Sequence, residues 1–143
     1  LRVNGHKPMA GVIADAEGNL YGTTERGGFG KCRCGTVFKL SADGKRTILH
    51  SFEHPGDGSE PQGRLVADAA GNLYGTTWKG GRGPNCACGT VFKIAPNGMH
   101  TVLYSFNGES DGGNPNGDLI MDKEGNLYGT GARHDGSVFE ITP

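Results

Sequence analysis

Gly71-Asn72-Leu73-Tyr74-Gly75-Thr76-Thr77 is the stretch that decides the fold, because the chain contains it three times. A first copy runs from Gly18 to Thr24, and a third runs from Gly125 to Gly131, where glycine replaces the last threonine. The first glycines of successive copies are 53 and 54 residues apart. A regular period of this length is typical of repeat architectures, and β-propellers are among them.

Other segments recur in register with this stretch. The sequence Gly-Thr-Val-Phe-Lys-Leu at 35–40 returns as Gly-Thr-Val-Phe-Lys-Ile at 89–94 and, in weaker form, at 136–141. The segment Pro-Gln-Gly-Arg-Leu at 61–65 likewise matches 115–119 and, more loosely, 8–12. These alignments predict one repeat region over 1–143 with a truncated third repeat: residues 8–60, 61–114 and 115–143.

The composition favours short strands and turns over helices, since 27 of 143 residues are glycine and 7 are proline. Within the second repeat we expect strands at 64–67, 72–77, 90–94 and 99–106, joined by tight turns at 68–71 and 95–98. The Asn-Gly of the second turn is a strong hairpin signal. Four antiparallel strands per repeat form a meander of the size of a propeller blade. The predicted fold is therefore all-β, with β-propeller-type blades and an incomplete last blade.

Turns alternate between the two ends of a meander, so the long loops at 78–88 and 107–117 are expected on the side opposite the tight turns. Binding residues are commonly carried by such loops. Aromatic side chains there suit a sugar ring, and carboxylate or amide oxygens suit calcium. The burial of Trp78 against a neighbouring blade is the competing interpretation, and no metal site is assigned. The candidate ligand-binding residues on this side are Phe29, Asp57, Trp78, Asp111 and Asn114.

Four cysteines occur as two Cys-x-Cys pairs at equivalent places in the first two repeats. Disulfides are the favoured interpretation, either within a pair if the loop curls or between repeats. The alternatives are one zinc site made by all four thiolates and free thiols. Zinc usually requires two to four residues between paired cysteines, whereas only one is present here. The disulfide candidates are Cys32, Cys34, Cys86 and Cys88.

Together the motifs G-T-V-F-K-[LI], L-x-S-F, D-G-x-x-P and D-x-x-G-N-L-Y-G-T-T resemble the GloVer tandem repeat of bacterial secreted and surface proteins. The resemblance extends over nearly the whole chain. It implies a propeller-like, extracellular or cell-surface repeat protein, and it brings no catalytic residues to carry over. The Cys-x-Cys pairs and the short third loop at 132–135 depart from the family pattern.

Several classes of function are disfavoured by the sequence. A formal charge of -1, from 14 basic and 15 acidic residues spread along the chain, provides no patch for nucleic acid. No apolar run is long enough to insert in a membrane. The carboxylates that recur three residues before the repeated glycine are interpreted as turn formers, not as catalytic or metal-binding groups. The histidines have no metal-ligand spacing, and Glu53, Glu60, Glu109 and His54 form no evident catalytic group.

The leading functional prediction is a non-enzymatic structural or adhesive module that self-associates or packs against further blades of a longer chain. Because the chain begins with leucine, we expect a processed product or a fragment. Leu1 to Val3 is predicted to be the remnant of a fourth strand that completes a blade, so that chains join as a ring or fibre. A glycan- or calcium-binding propeller is the alternative, and no other cofactor is expected.

Overall fold

The computed structural model describes residues 5–143 and contains twelve β-strands in three antiparallel sheets. The first sheet contains β1 (Ile13–Ala14), β2 (Leu20–Thr24), β3 (Thr36–Leu40) and β4 (Arg46–Ser51). The second contains β5 (Ser59–Pro61), β6 (Val66–Ala67), β7 (Leu73–Lys79), β8 (Thr90–Ile94) and β9 (His100–Ser105). The third contains β10 (Ile120–Met121), β11 (Leu127–Gly131) and β12 (Ser137–Ile141). The all-β prediction is confirmed, and the strand predicted for Leu1 to Val3 lies outside the described residues.

The recurring stretch works as a turn followed by a strand. Asp68 Oδ1 accepts the N–H of Asn72 at 2.9 Å, while its Oδ2 accepts the side-chain amide of Asn72 at 2.7 Å and the hydroxyl of Tyr74 at 3.0 Å. Gly71 closes the turn with a φ of 84°, a left-handed conformation that favours glycine. Asp15 and Asp122 make the same contacts in their sheets. These carboxylates therefore form turns, as the sequence predicts.

The second glycine of the stretch makes room for an aromatic ring. Gly75 of β7 pairs with Phe92 of β8, and a Cβ built on Gly75 would lie 2.6 Å from Phe92 Cζ and 2.8 Å from Leu65 Cδ2. The corresponding pairs in the other sheets are Gly22 with Phe38 and Gly129 with Phe139. The glycine thus lets the ring cross the neighbouring strand at close range.

Apolar side chains pack each sheet against the next. Phe92 lies 5.3 Å, centroid to centroid, from Phe52 beyond β4, and Phe139 lies 5.0 Å from Phe106 beyond β9. Both contacts have the edge-to-face geometry that aromatic pairs favour. Two buried clusters surround them, one shared by the first and second sheets and one by the second and third. The core is therefore divided between the sheet-to-sheet interfaces.

One segment predicted as loop is regular structure. Pro55–Asp57 forms a short 3-10 helix, and β5 pairs with the end of β7 through Ser59↔Lys79 and Pro61↔Thr77. β7 consequently continues to Lys79, so Trp78 belongs to a strand and not to the long loop. The sequence did not indicate this pairing because Gly58 precedes β5 and Pro61 ends it, and both residue types are unfavourable in strands.

Replacing Gly75 by alanine should lower the free energy of unfolding by about 1–3 kcal/mol, because the new methyl group collides with the buried Phe92 ring. Gly11→Ala is the matched control, since its Cβ would lie 3.8 Å from the nearest side chain. Thermal unfolding followed by circular dichroism compares the two variants with the parent chain. An unchanged midpoint for Gly75→Ala would contradict this packing.

Candidate functional site

The long connections lie together at one end of the sheets, as the meander predicts. Thr36 pairs with Ser51 and Thr24 with Thr36 at that end, while Leu40 pairs with Arg46 beside the tight turn at the other end. The second sheet has the same register. The side of the sheets on which the sequence places the candidate residues is therefore this loop end.

Each Cys-x-Cys pair forms its own disulfide, Cys32–Cys34 and Cys86–Cys88. Their Cα atoms are 5.1 and 5.3 Å apart, below the roughly 6.6 Å that two extended residues would give. The loop therefore curls, and Arg33 in the first pair does so with a φ of 51°. The zinc and free-thiol alternatives are wrong, because all four cysteines are bridged.

Two predicted residues lie together beside the first disulfide loop. Phe29 and Asp57 line a cavity of about 380 Å³ that also contacts His50, Glu53 and His54. Phe29 is 48% exposed, and its backbone N–H donates to Ser51 Oγ at 2.7 Å. This cavity offers an apolar ring beside charged and neutral polar groups.

Trp78, Asn114 and Asp111 have structural contacts instead. The Asn114 side-chain amide donates to the backbone carbonyl of Trp78 at 2.8 Å, which connects the loop before β10 to the end of β7. Asp111 accepts the Tyr104 hydroxyl at 2.7 Å and the backbone N–H groups of Asn107 and Gly108 at 2.9 and 3.1 Å. Its two carboxylate oxygens thus order the loop that follows β9.

The structure does not gather all five candidates around one cavity. Phe29 lies with Asp57, and Trp78 lies with Asn114. Among residues 5–143 no three histidine, cysteine, aspartate or glutamate side chains converge as metal ligands would. The sugar or calcium site on this side stays a prediction.

Glu60 forms an ionic connection between sheets that the sequence did not reveal. Its carboxylate accepts from Nη2 of Arg26, two residues beyond β2, at 2.8 Å and from Lys79 Nζ of β7 at 3.3 Å. The Glu60 side chain is 10% exposed, whereas both cations are about half exposed. Glu60 shares its repeat position with Lys7 and Asn114, and all three have a φ between 50° and 57°. The backbone conformation repeats at this position while the residue type changes. The repeated sequence motifs therefore do not reveal it.

A second missed feature is a pair of histidines between the first two sheets. The rings of His50 on β4 and His100 on β9 stack with centroids 3.9 Å apart and planes 5° from parallel. Burial, and then the charge of His100, lower the pKa of His50 to about 4, and burial lowers the pKa of His100. The carboxylates of Asp57 and Glu53 oppose the lowering of the His50 pKa, and the Asp57 carboxylate opposes the lowering of the His100 pKa. Both rings are therefore neutral at pH 7.

The free energy of unfolding should fall as the pH drops from 6.5 towards 4, because His50 and His100 then bind protons in the unfolded chain but stay neutral in the folded one. The sign follows from folded pKa values below the ordinary 6.5. After discounting for partial solvent exposure, we expect the loss attributable to His50 to be about 1–2 kcal/mol. His50→Phe should reduce the slope of unfolding free energy against pH in urea titrations. His54→Gln, on an exposed residue, is the control, and an equal slope in His50→Phe would contradict the assignment.

The model of the Gloeobacter/Verrucomicrobia repeat family matches residues 2–143. No curated protein sequence matches the chain. A luciferin-regenerating enzyme is a similar solved structure, with 18% identity and a TM-score of 0.60 over 92% of this chain and 41% of the enzyme. A protein described as a gluconolactonase is also similar, with 19% identity and a TM-score of 0.54 over 92% of this chain and 43% of that protein.

The two solved structures are informative about the fold alone, because their identity to this chain is low. The chain spans about two fifths of the length of each. Within residues 5–143 no helix combines the length and the apolar character needed to span a membrane. The family match confirms the resemblance drawn from the repeated motifs.

Proposed function

The chain belongs to the Gloeobacter/Verrucomicrobia repeat family, and from that premise we propose that it is a non-enzymatic, secreted or cell-surface structural module. Its three sheets act as β-propeller blades, and a second copy of the chain covers the two end faces. The observation that carries this proposal is the exposure of repeat-equivalent residues at the ends of the array.

Val138 marks the uncovered face of the third sheet. The equivalent residues Val37 and Val91 are 0% exposed, because each packs against the sheet that follows. Val138 is 81% exposed, and Ile120 on the same sheet is 67% exposed. Burial of a valine side chain is worth about 1.5 kcal/mol or more. The third sheet thus presents a surface that its two predecessors bury.

The first sheet presents the complementary surface. Leu65 and Leu119 are 3% and 5% exposed, because they pack against the sheet that precedes them. Val12 has the same repeat position in the first sheet and is 45% exposed. The two end faces are therefore the two halves of the interface that occurs twice inside the chain.

The unpaired edge of β12 also supports a second copy of the chain as the partner of the third sheet. Among residues 5–143, β3 and β8 are each paired on both sides, with β4 and β9 as their outer partners, whereas β12 pairs with β11 alone. An unpaired strand edge is a template for another strand. A chain that packs on the third sheet can supply that strand together with an apolar face.

Head-to-tail contacts of this kind are heterologous, so they close into a ring or extend into a fibre. The extracellular part of the proposal rests on the two disulfides, which persist in oxidising compartments.

Sedimentation velocity over a range of concentrations tests this assembly under non-reducing conditions. We expect the particle mass to rise with concentration and Val138→Asp to weaken association at least tenfold, because a carboxylate would enter the apolar contact. Met99→Asp is the matched control, since Met99 is 60% exposed beside a tight turn and away from both end faces. A parent chain that stays monomeric, or equal effects of the two substitutions, would reject the proposal.

A second candidate function is sugar binding at the cavity lined by Phe29 and Asp57. It is favoured by the exposed aromatic ring beside polar groups. Thermal stabilisation across a panel of oligosaccharides should then be seen in the parent chain and lost in Phe29→Ala. Met99→Ala should retain it, and a panel without any stabilising sugar would exclude this function.

A further inference from the structure

We infer that the Cys86–Cys88 disulfide is a thiol–disulfide exchange site, which an external thiolate attacks at Cys86. The inference is independent of the proposed assembly. It rests on the different exposure of the two sulfurs, on the cation at one of them and on a cavity at the other.

The two cysteines of this bridge have different surroundings. Cys88 is 2% exposed and belongs to the buried cluster between the second and third sheets. Cys86 is partly exposed and lines a cavity of about 340 Å³ at the loop end. Its Sγ lies 3.1 Å from the carbonyl oxygen of Asn107. An incoming sulfur therefore reaches Cys86, while protein atoms cover Cys88.

Arg133 provides a cation for the sulfur that leaves. Its Nη1 contacts Cys88 Sγ, although the residues are 45 positions apart. Burial in an apolar cluster disfavours a thiolate, and a guanidinium in contact with the sulfur offsets that cost. A sulfur whose thiolate is stabilised in this way is the better leaving group in exchange. Cys88 is thus the favoured leaving group and Cys86 the favoured site of attack.

The loop that carries Arg133 is held in an uncommon conformation. The next two residues, His134 and Asp135, have φ values of 51° and 65°. His134 Nε2 lies 2.7 Å from the carbonyl oxygen of Gly108, and because a carbonyl only accepts, this nitrogen carries the proton. Non-glycine residues in this region are often found at functional sites. The contact connects the Arg133 loop to the loop that flanks the disulfide.

The first disulfide lacks this arrangement and is an internal comparison. Lys79 has the repeat position of Arg133, but its ammonium group pairs with the Glu60 carboxylate at 3.3 Å. Cys32, the counterpart of Cys86, lies in an exposed loop. Exposure alone would make the first bridge the more reactive one, whereas leaving-group stabilisation favours the second.

The reaction exchanges one sulfur–sulfur bond for another. The substrate thiolate bonds to Cys86 Sγ as the bond to Cys88 breaks, and the electron pair of that bond leaves on Cys88 as a thiolate. A second substrate thiolate then attacks the substrate sulfur of the mixed disulfide. Cys86 leaves as a thiolate and takes a proton from solvent. The bridge is reduced to two cysteines while two substrate thiols are oxidised to one disulfide.

The test follows both bridges of the oxidised full chain during exposure to limiting thiol, with acid quenching, alkylation and peptide mass spectrometry. One arm uses 2-mercaptoethanol, and the other uses an unstructured peptide with a single cysteine. We expect Cys86–Cys88 to open faster than Cys32–Cys34, with the mixed disulfide on Cys86. Reaction in the first arm alone identifies small thiols as substrates, and reaction in both arms extends the class to protein thiols.

Arg133→Gln should slow the opening of Cys86–Cys88 about threefold or more and leave Cys32–Cys34 unchanged, because it removes the charge beside the leaving sulfur. Arg133→Lys should restore part of the rate, and Arg82→Gln in the loop of the second bridge is the control. The comparison of the two bridges in the parent chain needs no variant, so it stands even if a substitution impairs folding. Equal opening rates, or a mixed disulfide on Cys88, would overturn the inference.

Discussion

The packing of a phenylalanine ring over a glycine, and from there onto the preceding sheet, is the interaction on which the rest of the structure depends. Gly75 lets the Phe92 ring cross β7, and the ring then reaches Phe52 of the first repeat at 5.3 Å. The third sheet repeats this contact between Phe139 and Phe106 at 5.0 Å. The second and third sheets therefore each need the sheet before them to bury the ring, so the stability of one repeat is inseparable from that of its neighbours.

The residues that repeat allowed most of the fold to be predicted. The turn with Asp68 and Gly71 and the strands around Tyr74 and Phe92 depend on local hydrogen bonds and strand propensity, which the sequence shows directly. The position of the loops at one end follows from the alternation of turns. The cysteines pair within each Cys-x-Cys unit, an outcome that the sequence left open because it depends on how tightly each loop curls.

The features that escaped prediction are contacts between repeats. Glu60 contacts Arg26 of the first repeat, and His50 stacks on His100. Neither contact has a counterpart at the same repeat position with the same residue types, and neither is local in sequence. Their partners are determined by how the sheets pack, which a single sequence does not specify. The strand at Ser59–Pro61 was missed for a related reason, since its pairing with Lys79 and Thr77 overrides unfavourable local propensity.

The loop end shows how one repeated position is put to different uses. At the position shared by Arg26, Lys79 and Arg133, the first two cations pair with Glu60, whereas the third contacts the sulfur of Cys88. The repeated backbone determines where the side chain at this position lies, and the neighbouring repeat determines which group it contacts. Chemical diversity in this protein therefore lies at the sheet-to-sheet boundaries, and the central question is what covers the boundaries at the two ends.

Hydrogen exchange at β12 measures directly whether another chain covers the third sheet. The backbone groups of Ser137–Ile141 that face away from β11 become protected only when another strand or sheet covers them. The amides of β12 should exchange more slowly as protein concentration rises, while those of the fully paired β8 remain unchanged. If the amides of β12 exchange at the same rate at every concentration, no second copy covers the third sheet, and the proposal of assembly through the end faces is wrong.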